Sequence, residues 1–359
     1  MGLFGLFGKK EEKGKQRKGF HLLTVSGIEK LTEDAVKISF EVPAELADKY
    51  VYKAGQYLDV SVTVNETEEL RSYSICSGQN ENLSIGVKQL ENGKVSAWLN
   101  QNVKTGDQLS ISEPRGNFVL NSAAKKIVLI AAGSGITPVL SMAKGLSKSD
   151  VETVLVYGNR TERSIMFKNE IDALSSLRAI YFLSGETKEG YRSGRIDKEN
   201  FTALIKEDLD LLKADGFYLC GPEGMISEVR QVLEFFGVKA DKIHFELFTT
   251  PVEMTPGATH SVAAFSGISQ VTAILDGEKV HFSLDAKGPT LLEASDKAGM
   301  DAPYSCKGGV CCSCRAKVLK GSAAMNVNYA LTDEEVAQGY ILTCQAHPTS
   351  EELTFSYDD

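Results

Sequence analysis

No run of about 18 consecutive apolar residues occurs in this sequence, so it predicts no membrane-spanning helix. Its first residues also lack the long apolar segment and small-residue cleavage site of a secretory signal. The five histidines form no pair at metal-ligand spacing, and no internal repeat is visible. We therefore expect a cytoplasmic protein that does not span a membrane.

Basic residues are in the minority, with 39 Lys and Arg against 48 Asp and Glu and a net charge of -9. Residues 1–19 are the exception, because their six basic and two acidic side chains predict a disordered basic tail. A net charge of −13 remains for the rest of the chain. Such acidity argues against nucleic acid as a partner and suits docking to a basic protein surface.

Apolar residues are abundant enough for several cores, since 42% of the 359 residues are hydrophobic. Residues 20–122 predict an antiparallel β-barrel, because short alternating strands are separated there by Gly, Asn and Asp. The expected strands of this segment are residues 36–40, 58–62, 83–87 and 108–112. We interpret this segment as the first of three domains.

Residues 123–249 predict an α/β domain with a parallel sheet, because apolar strand-like runs alternate with helix-like stretches. Its expected strands are residues 127–131, 153–157, 179–183, 216–220 and 242–247. Residues 250–267 form a predicted linker, since Pro, Gly, Ser, Thr and Ala are frequent there.

Residues 268–359 predict a compact α+β unit. Asp276-Gly277 indicates a β-hairpin, and Gly299 is the expected end of a helix that begins near Thr290. The capping-box pattern that starts at Thr332 predicts a second helix.

Cysteine is scarce, but four of the seven cysteines lie between Cys306 and Cys314. Cys306, Cys311 and Cys314 follow the spacing C-x4-C-x2-C, and Cys344 follows after 29 intervening residues. This is the spacing of a plant-type [2Fe–2S] cluster. Zinc is the alternative, but it usually takes two separated C-x2-C pairs. The pattern therefore predicts a cluster held by these four cysteines, with Cys312 left out.

A glycine-rich turn follows the first strand of the α/β segment, in the order Gly133-Ser134-Gly135-Ile136-Thr137-Pro138. A strand, two glycines and a helix start bring backbone N–H groups close to a dinucleotide pyrophosphate. We predict Thr137 as the N-cap and Pro138 as the first helical residue. The alternative is a turn that serves packing alone.

Arginines, rather than a carboxylate, follow the second strand of this segment. Arg160 comes directly after Tyr157-Gly158-Asn159, and Arg195 follows further along the chain. A guanidinium suits the 2′-phosphate of NADPH, whereas a carboxylate would suit the ribose hydroxyl of NADH. Glu162 is close in sequence. The pattern favours NADPH and leaves NADH as the alternative.

Four ordered motifs accompany the cysteines. They are Arg71-Ser72-Tyr73-Ser74, Gly93-Lys94-Val95-Ser96, the turn from Gly133 to Pro138, and Cys220-Gly221-Pro222. Together they resemble the signature of the ferredoxin–NADP reductase superfamily. The ferredoxin-like C-terminal segment resembles the oxygenase-reductase branch of that superfamily, and the likeness covers roughly residues 20–359.

The resemblance implies an FAD-binding barrel, an NAD(P)-binding domain and a β-grasp ferredoxin domain. Arg71, Ser72, Tyr73 and Ser74 would contact the flavin, and the turn formed by Gly93, Lys94, Val95 and Ser96 would hold its phosphates. The residues expected at the pyridine nucleotide are Gly133, Gly135, Thr137, Pro138, Arg160, Arg195, Cys220, Gly221 and Pro222. The implied catalytic residues are Ser74, Cys220 and Glu246, and Phe248 is available to cover the flavin.

The cofactors imply a chemical order. NADPH gives up two electrons as a hydride, a [2Fe–2S] cluster accepts one electron at a time, and a flavin can connect the two. Tyr157–Thr161, Gly194–Asp197 and Pro303–Cys311 most resemble reductases of phenylacetyl-CoA epoxidases, and ketosteroid and aromatic-ring oxygenase reductases share much of this pattern. We expect a reductase for a terminal oxygenase or epoxidase. A redox-sensing electron carrier is the alternative outside the enzymes.

Overall fold

The computed structural model describes residue 17 and residues 19–121, 124–248 and 265–358. Most of the predicted basic tail, the predicted division at 122/123 and residues 250–264 of the predicted linker lie outside the described residues.

The first part of the chain forms a curved six-stranded antiparallel sheet. Its strands are β1 (Phe20–Thr32), β2 (Ala35–Glu41), β3 (Tyr57–Val64), β4 (Thr67–Ser74), β5 (Ser84–Lys88) and β6 (Gln108–Ser112), in the order β4-β3-β6-β1-β2-β5. A bridge between Ile75 and Ile85 draws the two edge strands together, as a barrel requires. Alternate apolar residues such as Ile38, Leu58 and Ile85 fill the interior. The antiparallel barrel predicted from the alternation is confirmed.

A short helix, α1 (Lys94–Gln101), follows β5. A turn was predicted at Gly93–Ser96, but Gly93 is the N-cap of this helix. The helix forms because Val95 and Leu99, four residues apart, both bury their side chains against the barrel core.

The second part is a six-stranded parallel sheet with helices on both faces. In chain order it contains β7 (Lys126–Ala132), α2 (Ile136–Leu146), β8 (Glu152–Asn159), α3 (Lys168–Asp172), β9 (Leu177–Leu183), β10 (Arg192–Ser193), α4 (Lys198–Glu207), β11 (Gly216–Cys220), α5 (Glu223–Phe235) and β12 (Ile243–Glu246). The sheet order is β10-β9-β8-β7-β11-β12. The central strand β7 is buried along Ile127–Ala131, which explains its unbroken apolar run. The predicted parallel α/β sheet is confirmed.

The third part contains β13 (Ile268–Leu275), β14 (Glu278–Asp285), α6 (Leu291–Lys297), β15 (Arg315–Lys320), β16 (Ala323–Met325), α7 (Asp333–Ala337), β17 (Tyr340–Leu342), β18 (Ala346–Pro348) and β19 (Glu352–Ser356). The main sheet has the order β14-β13-β19-β15-β17, and β16 pairs with β18. Asp276 and Gly277 form the hairpin turn with φ of 52° and 76°, and Thr290 and Thr332 each cap a helix, as predicted.

A partly buried ion-pair network joins the barrel to the parallel sheet. Lys144 on α2 contacts Glu81 of the barrel at 2.7 Å and Glu170 on α3 at 2.6 Å, while Lys37 on β2 contacts Glu170 at 2.9 Å. Burial alone would raise the pKa of Glu170, but hydrogen bonds from Lys144 and Lys37 hold it below its usual value. Of the helices in the described ranges, none is long and apolar enough to cross a membrane.

Candidate functional site

A cavity of about 630 Å³ lies where the barrel, the parallel sheet and the cysteine-rich loop meet. Its wall contains residues from four of the predicted motifs. The predicted site residues that line it are Arg71, Ser72, Tyr73, Ser74, Gly93, Lys94, Val95, Ser96, Thr137, Glu246, Phe248, Cys306 and Cys311. The fold therefore brings the residues predicted for the flavin and two cysteines predicted for the cluster to one space.

The flavin motif on β4 gives the cavity a basic and aromatic wall. Arg71 Nη2 lies 3.0 Å from Glu69 Oε2, and Lys94 Nζ lies 3.9 Å from Glu69 Oε1. Glu69 thus holds two cations beside the cavity, a role that sequence analysis missed because no motif includes it. Burial raises the pKa of the Tyr73 phenol, which keeps Tyr73 neutral. Such a wall suits a planar ring system that carries a pyrophosphate.

The start of α1 contributes backbone N–H groups to the same wall. Ser96 Oγ accepts a hydrogen bond from Leu90 N at 3.1 Å and donates to Gly93 O at 3.2 Å. The Gly-x-x-Ser motif therefore tightens the chain where it enters the helix. The free N–H groups of a helix N-terminus favour an anion, which fits the predicted phosphate site.

The turn after β7 differs in detail from its prediction. Gly133–Gly135 forms a 3-10 turn and α2 begins at Ile136 with Gly135 as its N-cap. Thr137 and Pro138 are therefore the second and third helical residues, and the predicted N-cap and first-residue assignments are wrong. The reason is that Gly135 already has helical dihedrals, φ −60° and ψ −9°. The Thr137 hydroxyl instead donates to Ser134 O at 3.0 Å.

Two glycines in this turn are required by the local geometry. Gly133 has a φ of +55°, and the space beside its Cα is empty to at least 4 Å. A Cβ on Gly135 would lie only 2.1 Å from Cys220 O. Gly135 thus lets the turn pack against the end of β11, and Gly133 leaves an open approach to the backbone. Both features fit a bound dinucleotide.

Cys220 is the last residue of β11, and Glu246 is the last residue of β12. These two parallel strands are adjacent, and Cys220 is paired with Glu246 in their register. Ser74 Oγ donates to Glu246 Oε2 at 3.3 Å, which joins them to β4. Burial raises the pKa of Glu246 to about 8, although the hydrogen bond from Ser74 opposes that shift. Burial and the nearby Glu246 also raise the pKa of the Cys220 thiol. At neutral pH the three groups are a hydroxyl, a thiol and a largely protonated carboxyl.

The remaining predicted nucleotide residues lie at the carboxyl edge of the parallel sheet or beyond it. Arg160 directly follows β8 and Arg195 follows β10, and both are exposed. Neither guanidinium forms a salt bridge with any residue in the described ranges. Glu162, by contrast, is occupied by Lys188 and by Tyr191 Oη. Gly221 and Pro222 connect β11 to α5, where Pro222 is the N-cap.

Phe248 lies two residues after the end of β12 and lines the cavity with 42% of its surface exposed. It is the last described residue before the gap at 249–264. Its position is compatible with covering one face of a flavin.

The cysteine-rich loop brings its predicted ligands together. We call residues 305–314 the cluster loop. Cys311 Sγ lies 3.1 Å from Cys306 Sγ, and the Cys344 thiol interacts with those of Cys306 and Cys314. Gly308 N donates to Cys306 Sγ at 3.3 Å. Four thiols and a backbone donor aimed at sulfur form a suitable donor set for a [2Fe–2S] cluster.

The fifth cysteine of this region does not join the set. Cys312 Sγ donates to Ala330 O at 3.7 Å, and its backbone N donates to Tyr57 Oη of the barrel at 2.9 Å. The contacts among the other four thiols run from Cys311 to Cys306, then to Cys344 and on to Cys314. Within the described ranges, no three His, Cys, Asp or Glu side chains are grouped as ligands of a single metal ion. The spacing C-x4-C-x2-C with a distant fourth cysteine fits a two-iron cluster better than one zinc ion.

Three known domain families match successive parts of the chain. Residues 22–120 match the oxidoreductase FAD-binding domain and residues 129–231 the oxidoreductase NAD-binding domain. Residues 273–349 match the 2Fe-2S iron-sulfur cluster binding domain.

Similar proteins extend over nearly the whole chain. One subunit of the 1,2-phenylacetyl-CoA epoxidase of Escherichia coli is 35% identical, covering 94% of this chain and 98% of that protein. The chain belongs to the ferredoxin-containing reductases of oxygenase systems. The ferredoxin reductase component of the 3-ketosteroid-9-alpha-monooxygenase of Rhodococcus rhodochrous is 33% identical, covering 94% and 96%. The solved structure of phthalate dioxygenase reductase has a TM-score of 0.57 and 26% identity, covering 94% and 98%.

This reductase therefore binds FAD, a pyridine nucleotide and a [2Fe–2S] cluster. The expected oxidoreductase class and its cofactors are confirmed.

Proposed function

We propose that this reductase carries electrons from NADPH through FAD and its own cluster to a phenylacetyl-CoA epoxidase. The observation that carries the proposed route is the shared cavity, in which Tyr73 and Ser74 lie with Cys306 and Cys311. The likeness to the E. coli epoxidase component, over 98% of that protein, supports the proposed partner.

A bound FAD would supply the conversion between two-electron hydride transfer and single-electron transfer. Arg71 and Lys94 would neutralise the flavin phosphates, and Tyr73 would pack on its ring system. Gly133, Gly135 and Thr137 would hold the dinucleotide at the start of α2. The two irons would be bound by Cys306, Cys311, Cys314 and Cys344.

Ser74, Cys220 and Glu246 shape the position where the nicotinamide meets the flavin. Glu246 keeps its proton at neutral pH because its pKa lies at about 8. Its protonated form adds no negative charge beside a ring that becomes more electron-rich during hydride transfer. The Ser74 hydroxyl, which donates to the Glu246 carboxyl at 3.3 Å, fixes that side chain at the cavity.

NADPH is the proposed donor because Arg160 and Arg195 are exposed while Glu162 is engaged by Lys188 and Tyr191. A free guanidinium near the ribose would bind the 2′-phosphate with charge-assisted hydrogen bonds. An engaged carboxylate is less able to accept from a ribose hydroxyl.

Reconstitution tests the partner. The purified reductase is mixed with the oxygenase component of a phenylacetyl-CoA epoxidase, and epoxide formation is measured against NADPH consumed. A matched assay uses the oxygenase component of a 3-ketosteroid-9-alpha-monooxygenase. This second candidate is supported by the 33% identity of its reductase component. Efficient coupling with the epoxidase is expected. Equal or better coupling with the steroid oxygenase would contradict the proposed partner.

A further inference from the structure

A fully buried carboxylate lies between the barrel and the cluster loop. Asp59 on β3 is 0% exposed. Asp59 Oδ1 accepts a hydrogen bond from Ser72 Oγ at 2.6 Å, and both carboxylate oxygens lie 3.0 Å from Ser313 Oγ. Ser72 belongs to the flavin motif, and Ser313 lies between two cysteines of the cluster loop. Asp59 thus connects the two halves of the electron-transfer route.

Further hydrogen bonds join the barrel to the cluster loop. Ser72 N donates to Ser305 Oγ at 3.2 Å, and Ser305 directly precedes Cys306. Cys312 N donates to Tyr57 Oη at 2.9 Å. The cluster loop is therefore attached to β3 and β4 near both of its ends.

The chemistry of this contact makes it specific for one orientation. Burying a carboxylate is unfavourable unless hydrogen bonds compensate for its lost hydration. Arg115, the cation paired with Asp59, is 3.9 Å from its Oδ2, so hydroxyl donors supply most of the close contacts. A slight rotation of the cluster loop would separate Ser313 from Asp59 and leave a buried charge undercompensated. An apolar contact would tolerate such a rotation more easily.

We propose that Asp59 is a positioning residue that, through Ser313, holds the cluster loop against the flavin-binding strand and so sets the rate of electron transfer from flavin to cluster. This inference rests on the proposed electron route. One hydride brings two electrons and one proton, so two single-electron reductions of the cluster return the flavin to its oxidised form and release one proton. Each reduction requires the loop to be docked.

The test compares Ser313→Ala and Asp59→Asn with the wild-type holoenzyme. An exposed serine of the same unit provides the matched control, Ser283→Ala. Stopped-flow mixing with NADPH follows flavin reduction and cluster reduction separately. Losing a hydrogen bond to a charged group lowers the docking equilibrium constant about ten-fold, and cluster reduction should slow by up to the same factor. NADPH–ferricyanide activity and the EPR spectrum of the reduced cluster should stay at wild-type values.

Docking is measured without turnover by hydrogen exchange of residues 305–314, which should accelerate in both variants and not in the control. The Asp59→Asn/Ser313→Ala double variant should be little slower than the slower single variant, because both changes remove one contact. The assignment would be overturned by unchanged rates of cluster reduction in both single variants. It would also be overturned if the two changes slowed cluster reduction additively in the double variant, or if the EPR spectrum of the cluster changed.

Flavin and cluster reduction in the wild type distinguish a failure of this inference from a failure of the proposed electron route on which it rests. If NADPH reduces the wild-type flavin but not its cluster, the proposed route fails, and this inference fails with it. Normal wild-type cluster reduction with unaffected variants would reject the role of Asp59 alone.

Discussion

Ser74 Oγ and Glu246 Oε2 lie 3.3 Å apart, and this hydrogen bond crosses from the flavin-binding strand of the barrel to the last strand of the parallel sheet. Glu246 is also in register with Cys220 on the neighbouring strand. Side chains from both modules therefore meet where the nicotinamide and the flavin are proposed to react. The ionisation of Glu246 should consequently affect that reaction.

The first prediction concerns pH. The raised pKa of about 8 means that Glu246 carries its proton below that pH and a negative charge above it. NADPH–ferricyanide turnover should therefore fall as pH rises through about 8. Glu246→Gln keeps the neutral shape and should remove this inflection while retaining activity at pH 7. A Gln variant with an unchanged pH profile would show that another group titrates.

The second prediction concerns the cluster. Changing Cys314 or Cys344 to Ser should abolish cluster absorbance and its EPR signal while leaving bound flavin, because each removes a thiolate ligand. Cys306→Ser and Cys311→Ser should behave alike. Cys312→Ser is the control and should retain the cluster, since its thiol contacts Ala330 O instead of the ligand set. Cluster loss in the control would refute the ligand assignment.

The third prediction concerns the nucleotide. Arg160→Ala should lower kcat/KM for NADPH about ten-fold or more, because a hydrogen bond to a charged group contributes roughly 1.5–3 kcal/mol. The NADH value should change little, since NADH has no 2′-phosphate. Arg163→Ala, another exposed arginine three residues away, is the control. A wild type that prefers NADH would reject NADPH as the donor.

Strands, a hairpin and helix caps could be predicted from the sequence because each depends on residues that are close together in the chain. The alternation around Ile38 and Leu58, the hairpin at Asp276-Gly277 and the caps at Thr290 and Thr332 each depend on neighbours within a few residues. The helix after Gly93 was missed because α1, which is only eight residues long, depends on burial against the barrel for its stability.

Long-range contacts escaped prediction for a different reason. Asp59 and Ser313 are 254 residues apart, and each looks like an ordinary polar residue in its own strand or loop. Glu69 similarly lies outside every motif although it holds Arg71 and Lys94. Only the folded arrangement of barrel and cluster loop brings these groups together.

The last prediction concerns the separability of the ferredoxin unit. From Ser269 onward, 7 basic and 13 acidic residues give a net charge of −6. We expect this charge to steer the unit toward a basic surface on the oxygenase. The unit also contacts the barrel through polar groups such as Asn117, which donates to Glu335 Oε2 at 2.7 Å. Such polar contacts between domains are compatible with reversible docking.

A chain that ends at Thr250 should therefore still bind FAD and reduce ferricyanide with NADPH, because the cavity keeps Arg71, Tyr73, Ser74 and Glu246. It should lose both cytochrome c reduction through the cluster and support of the oxygenase. The full-length Cys314→Ser variant is the control, since it removes the cluster but keeps the ferredoxin sequence. Oxygenase coupling by the intact protein should weaken as salt screens the acidic surface, whereas ferricyanide turnover should respond much less. If the truncated chain drives the oxygenase at the full rate, electrons leave from the flavin, and the proposed order of transfer is wrong.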